Sequence, residues 1–364
     1  MSDVSGGTQF PCAACGAPAM AWDAAAQRMR CPYCGHTAAV QGGAVGVPAE
    51  HSVDAAQSQS QTGYGTAVRV VQCQTCGATV SFGGADISTH CNFCGSQHVL
   101  EQDSQRNVIR PESLVPFAVN TETAKQKFDA WIGSGWFRPS DLKAMAKADG
   151  LAGIYIPFWT FDAWVDSQWR AEAGYHYYET EVVVENGTKM QKQVQKTRWQ
   201  PAHGHRRDHH DDVLVVASRG LPRKLADRLA TFDTSQLRPY DPNFLAGWQA
   251  EEYAVGLDDA WGHAAQKIES AQRGKCMNDV PGDTHRGLQV QNRYSDKSYK
   301  HILLPLWISS YQYSGKAYRF LVNGQTGEVS GEAPTSWIKV ALFVLLLVVL
   351  IGGCLFGMTA LSDG

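Results

Sequence analysis

Four Cys-x-x-Cys pairs between Cys12 and Cys94 constrain the chain more than any other feature. Cys12/Cys15 and Cys31/Cys34 recur as Cys73/Cys76 and Cys91/Cys94, displaced by 61 and 60 residues. The flanking sequence repeats with them, CAACGAPAMAW and RCPYCGH returning as CQTCGATVSF and HCNFCGS, and duplication is the simplest account. Cys15 and Cys31 are separated by 15 residues and Cys76 and Cys91 by 14, the spacing of a structural zinc ribbon. A glycine follows the second cysteine of each pair (Gly16, Gly35, Gly77, Gly95), which lets the chain turn while backbone N–H groups face the thiolates. Four thiolates fill a tetrahedron and leave no position for water or substrate, so the expectation is two structural zinc ions held by these eight cysteines. Units this small cannot fold on apolar burial alone, and metal binding worth on the order of 10–16 kcal/mol supplies most of their stability. A rubredoxin-like iron site uses similar knuckles, whereas redox cysteine pairs need a βαβ context absent from this sequence.

Ten cysteines in 364 residues suit either a secreted disulfide protein or an intracellular metal protein. The opening MSDVSGGTQFPC lacks a cationic start followed by an apolar run, so a reducing compartment is expected. Between the ribbons runs QGGAVGVPAEHSVDAAQSQSQTGYGTA, without apolar periodicity, which reads as a flexible tether that lets the ribbons move separately. At the other end, Val340 to Met358 is uncharged, and at about 1.5 Å per residue it approaches the thickness of a bilayer core. This stretch predicts a transmembrane helix. Lys339 before it and Asp363 after it place the bulk of the chain in the cytoplasm, and Gly353 and Gly357 offer a surface for helix pairing.

Ten of the eleven tryptophans lie between Trp131 and Trp337, where the main core is therefore expected. Helices are predicted at Thr121–Ile132 with Thr121 as the cap, at Asp141–Ala148 behind Ser140, after Pro222, and from Asp258 onward as the longest soluble one. Asn186-Gly187 predicts a two-residue hairpin turn that sets Glu181 opposite Lys192. The runs from Ile154 and Ile302 share an aliphatic-x-x-Pro-x-Trp pattern, which suggests a second duplication. Asn323-Gly324 joins two further strands. The segment HGHRRDHHDD gathers His203, His205, His209, His210, Asp211 and Asp212. It reads as a polar loop between two strands, with metal binding as the competing reading.

The net charge of −3 suggests no polyanionic partner, and residues 1–110 hold five Lys and Arg against seven Asp and Glu. Such ribbons have little counterion release to draw on and point to protein contacts before nucleic acid. No phosphate loop, HExxH, GxSxG or GxGxxG after a strand is present. The double CxxCG ribbons, together with IYIPFWTFDA, PYDPNFLAGWQAEEYAVGLDDAW, PGDTHRG and YKHILLPLWISSYQYSGKAYRFLVNGQTGEVSGEAP, resemble a family of bacterial membrane-anchored double zinc-ribbon proteins described as TFIIB-type zinc-ribbon or primosomal-helicase-like. The resemblance implies a domain without an assigned active site and a scaffold that recruits phage-shock-type or SPFH-type membrane proteins. The expected organisation is ribbon 1 at 1–40, a linker at 41–66, ribbon 2 at 67–100, an α+β domain with antiparallel sheet at 111–335 and one transmembrane helix at 338–361. The expected function is a non-enzymatic, tail-anchored adaptor at the inner membrane, able to self-associate through that helix; a nucleic-acid-associated factor without motor activity is the alternative.

Overall fold

A computed structural model describes residues 10–40, 49–55, 69–82, 91–94, 96–102, 109–145, 150–185, 188–221, 223–229 and 231–362. Gly95, Asn186, Gly187 and Pro222, each given a turn or helix-start role above, lie outside the described residues.

Ribbon 1 is a three-stranded antiparallel sheet of β1 (Ala21–Asp23), β2 (Arg28–Arg30) and β3 (Thr37–Ala38). It does not float on a tether. The Trp22 indole N–H donates to Phe117 O at 3.2 Å, the Trp248 indole N–H donates to Trp22 O at 3.1 Å, and the Trp22 ring packs edge-on against Phe244. Part of the expected linker is also anchored. There β4 (His51–Ser52) pairs with a strand of the main sheet, and Asp54 meets Lys297 at 2.8 Å.

Ribbon 2 consists of β5 (Arg69–Cys73), β6 (Thr79–Phe82) and β7 (Val99–Gln102), with β5 in the middle. The main sheet then gathers β8 (Ser113–Leu114), β9 (Ala152–Glu185), β10 (Thr188–Val216), β11 (Arg238–Pro239), β12 (Gln249–Glu251), β13 (Thr284–Tyr313), β14 (Lys316–Asn323) and β15 (Val329–Gly331). Strand β6 hydrogen-bonds to β12, so ribbon 2 extends this sheet. The expected all-antiparallel sheet is corrected to a mixed one, because β12 runs parallel to β9 and β8 runs parallel to β13. The body is strand-rich.

Its centre is the antiparallel pair β9–β13, in which Ile302 faces Phe158, Leu304 faces Ile156 and Leu306 faces Ile154. The two Pro-Trp runs are thus direct partners. Successive residues of a strand point to opposite faces, and both faces here are buried. On one, Tyr155, Leu303 and Trp307 join the cluster that holds Cys12, Trp22 and Cys31. On the other, Ile154, Ile156, Leu304 and Leu306 join Cys73, Val80, Cys91 and Phe93. Each ribbon packs on its own side of the same two strands.

Among the described residues, five α-helices decorate the sheet: α1 (Thr121–Gly133), α2 (Leu142–Met145), α3 (Arg223–Arg228), α4 (Leu257–Asp279) and α5 (Trp337–Ser362). The N-cap of α1 is Asn120, whose side chain accepts from Thr123 N, and Thr121 is already helical. Helix α4 buries Ala260, Ala264, Ile268, Gln272 and Cys276, one residue in four along a single row. That row covers Phe161, Trp169 and Ala171 of β9. Strand β13 begins opposite Gly174, and β9 and β10 continue beyond it as a two-stranded arm in which Lys192 pairs with Glu181.

The base of α5 is tied to the body by Ser336 N donating to Phe137 O at 2.7 Å, by Lys339 Nζ donating to Arg138 O at 2.8 Å and by the Phe137–Phe343 ring contact. From Gly353 onward its side chains lie outside the described residues. Among the described residues no helix is long and apolar enough to cross a membrane. This overturns the expected transmembrane helix at 338–361, and with it the tail anchor and the single-pass residence in the inner membrane.

Candidate metal centres

In each ribbon two knuckles bring their cysteines face to face. Gly16, Gly35 and Gly77 have φ of +68°, +73° and +78°, and their N–H groups donate to the carbonyls of Cys12, Cys31 and Cys73 at 2.9–3.0 Å. This left-handed turn favours glycine, and it curls the backbone so that both sulfurs of a pair point inward. The Cys12–Cys34 and Cys15–Cys31 sulfurs are 3.6 and 3.7 Å apart, and the Cys73–Cys94 and Cys76–Cys91 sulfurs are both 3.6 Å apart. Within each group the four Sγ atoms all lie within 4.8 Å of one another. A tetrahedron with metal–sulfur bonds of about 2.3 Å has edges of about 3.8 Å. A disulfide requires about 2.05 Å. These sulfurs fit a tetrahedral ion and are not disulfide-bonded.

The local electrostatics favour thiolate, the form that binds metal, at one cysteine of each group, Cys31 and Cys91, while Cys15, Cys76 and Cys94 hold their protons more tightly. The backbone N–H of Cys34 pulls the Cys31 thiol down to about 7. The hydrogen bond from Cys76, followed by backbone N–H groups of Cys94 and Phe93, pulls Cys91 down to about 5, and Cys76 moves upward in return. Within ribbon 1 Cys12 and Cys31 are buried while Cys15 and Cys34 are exposed; in ribbon 2 Cys73 and Cys91 are buried and the other two half-buried. Each site therefore has an inner wall continuous with the core and an outer rim near solvent. Both groups could hold a metal ion. Cys276, outside them, is a buried thiol on α4 whose proton is held more tightly by burial.

The His-rich segment is not a loop. It is the middle of β10, and strand alternation divides it. His203, His205, Arg207 and His209 face outward, whereas Arg206, Asp208 and His210 turn toward α4. There Arg206 bonds Asp208 and Asp279 at 2.6 Å each, Lys275 reaches Asp208 at 3.0 Å, and His210 meets Gln272 at 3.1 Å. The Arg206 guanidinium, then Lys275, hold the Asp208 carboxyl well below its usual range. This half of the segment is a helix-docking network.

At the bulge after His210 the fold assembles a third group, Asp162, Asp211 and Asp212, which no spacing in the sequence announces. Asp211 and Asp212 belong to the His-rich segment, and the clue to their partner is a carboxylate, Asp162, inside the apolar run IYIPFWTFDAW. Lys300 fills the group, its Nζ lying 2.9 Å from Asp212, 3.2 Å from Glu50 and 3.8 Å from Asp162. Burial raises Asp162 to about 6; burial also opposes the charge of Lys300, but the Asp212 hydrogen bond and its acidic neighbours carry it up to about 12. With an ammonium already between the carboxylates, this is a partly buried ion-pair cluster.

A curated relative, the uncharacterized protein YdjG of Bacillus subtilis (strain 168), is 27% identical, over 74% of this chain and 91% of the relative. No protein-family profile matches the chain. No solved structure matches it.

Proposed function

We propose that this chain is a non-enzymatic docking adaptor whose two four-cysteine groups hold structural zinc and whose exposed strand arm and ribbon rims engage protein partners. The observation that carries the reading is the pair of closed sulfur tetrahedra, each with one wall in the core of the same sheet. A site with four protein ligands has no coordination position to spend on chemistry. Tetrahedral all-thiolate ligation suits zinc or iron, and zinc, which has no redox change to manage, fits sites that serve as packing elements.

Among the described residues no layer covers the arm beyond Gly174, and Tyr177, Tyr178, Val182 and Met190 are exposed on it, Tyr178 at 67% and Val182 at 61%. Large apolar side chains gathered on a projecting element mark interaction surfaces. Elemental analysis of the purified chain is expected to find two zinc ions and no iron, and a photo-crosslinker at position 178 is expected to yield a discrete protein adduct that Val182→Asp abolishes. Iron in place of zinc, or crosslinks to nucleic acid with salt-dependent DNA binding by the ribbons, would overturn the reading in favour of a redox or nucleic-acid-associated role.

A further inference from the structure

The outward face of β9, β10 and β13 carries a cavity of about 500 Å³ that is separate from the cysteine and aspartate groups. Six of its lining side chains are Gln168, Arg170, His203, His205, Gln289 and Gln291. Register explains why they meet. Arg170 lies between His203 and Gln289 across the three strands, and Gln168 lies between His205 and Gln291. In the intervening row the Trp169 side chain turns to the α4 side and Gly204 has none, so the backbone of this row supplies the floor.

The chemistry of this lining is one-sided. It contains a guanidinium, two imidazoles and three carboxamides, and no carboxylate. The acids of the same face belong to neighbouring rows, where Glu172 is taken by Arg286 at 2.6 Å, while Asp166 lies 3.4 Å from His205 Nε2 and 3.8 Å from Arg207. Arg170 instead donates its Nε–H to the neutral Gln289 Oε1 at 2.8 Å. Among the described residues no carboxylate pairs with Arg170, so its positive charge stands in the cavity without an ion-pair partner. A planar guanidinium suits bidentate recognition of an oxyanion, and carboxamides can donate to its oxygens or accept from hydroxyls beside them. The volume falls within the range of small-molecule sites.

We infer that this cavity binds a small organic oxyanion, carboxylate or phosphate, gripped by Arg170 and flanked by His203, His205 and the three glutamines. The site is independent of the docking reading above. The test uses the intact, metal-loaded chain, titrated with citrate and with inorganic phosphate and followed by calorimetry and by the imidazole resonances of His203 and His205. At least one anion is expected to bind saturably and to move both imidazole signals while leaving that of buried His301 in place; which anion binds distinguishes a carboxylate from a phosphate ligand. Arg170→Met, an exposed change that keeps the stem, is expected to weaken binding by roughly tenfold or more. Gln291→Glu, which puts a negative charge into the lining, should do the same, whereas Arg286→Met should leave binding in place. The inference is overturned if neither anion saturates below roughly 10 mM, or if Arg170→Met and Gln291→Glu bind as the wild type does.

Discussion

His301 shows how one residue can set the acid limit of this fold. It is buried beside Trp159 and Tyr253, its Nδ1–H donates to Ile109 O at 2.8 Å, and Nε2 has no hydrogen-bond partner among the described residues. Burial lowers its pKa to about 4. Between the unfolded value of about 6.5 and the folded value, the unfolded chain binds the extra proton, so the stability present at neutral pH is lost as pH falls through this window. Asp162, raised to about 6, works in the opposite sense below that pH. His301→Gln is therefore expected to flatten the acid limb of a denaturation-versus-pH curve, with up to about 3 kcal/mol at stake. At Gly204 a methyl group would run into the Trp169 indole. Gly204→Ala should destabilise by about 1–3 kcal/mol in a thermal or denaturant melt. The eight cysteines were legible because metal-ligand spacing is local, and so was the facing of Glu181 and Lys192, which the Asn186-Gly187 signal predicts from sequence alone. The division of HGHRRDHHDD was not. Its inward residues are as polar as its outward ones and are satisfied by Asp279, Lys275 and Gln272, so hydropathy left no alternation to read.

Among the elements, α1 offers a clean test of a misplaced boundary. Sequence favours Thr121 as the cap, yet Asn120 Oδ1 accepts from Thr123 N at 2.8 Å. Asn120→Ala is expected to cost about 1 kcal/mol and Thr121→Ala much less, measured as shifts in denaturant midpoint at constant m-value. The long strands were under-read for a different reason. A run that is buried on both faces near Ile154, covered by a helix on one face near Trp169 and uncovered beyond Gly174 has no single hydrophobic period. Patterning therefore suggests two separate strands, the run from Ile154 and the hairpin strand before Asn186, where β9 is continuous over 34 residues. The parallel pairings of β8 and β12 were likewise invisible, since each rests on two residue pairs to strands remote in sequence.

For the whole molecule, the largest surprise is how the ribbons attach. Their contacts join residues as distant as Trp22 and Trp248, beyond the reach of any local pattern, and the Gly- and Ala-rich connection naturally suggested independent motion. With Cys12 and Cys31 in one core layer and Cys73 and Cys91 in the other, stripping metal is expected to loosen the body as well as the ribbons. Treatment with a strong chelator should lower the main thermal transition monitored by tryptophan fluorescence; an unchanged body transition would show that the layers are energetically separate. Because the same two strands lie between the layers, occupancy at one site is also expected to favour occupancy at the other, although the two share no ligand. By reciprocity, a Cys15→Ser substitution in ribbon 1 should weaken the affinity of ribbon 2 for its ion, so that a fault at one end of the duplicated sequence is felt by its distant copy.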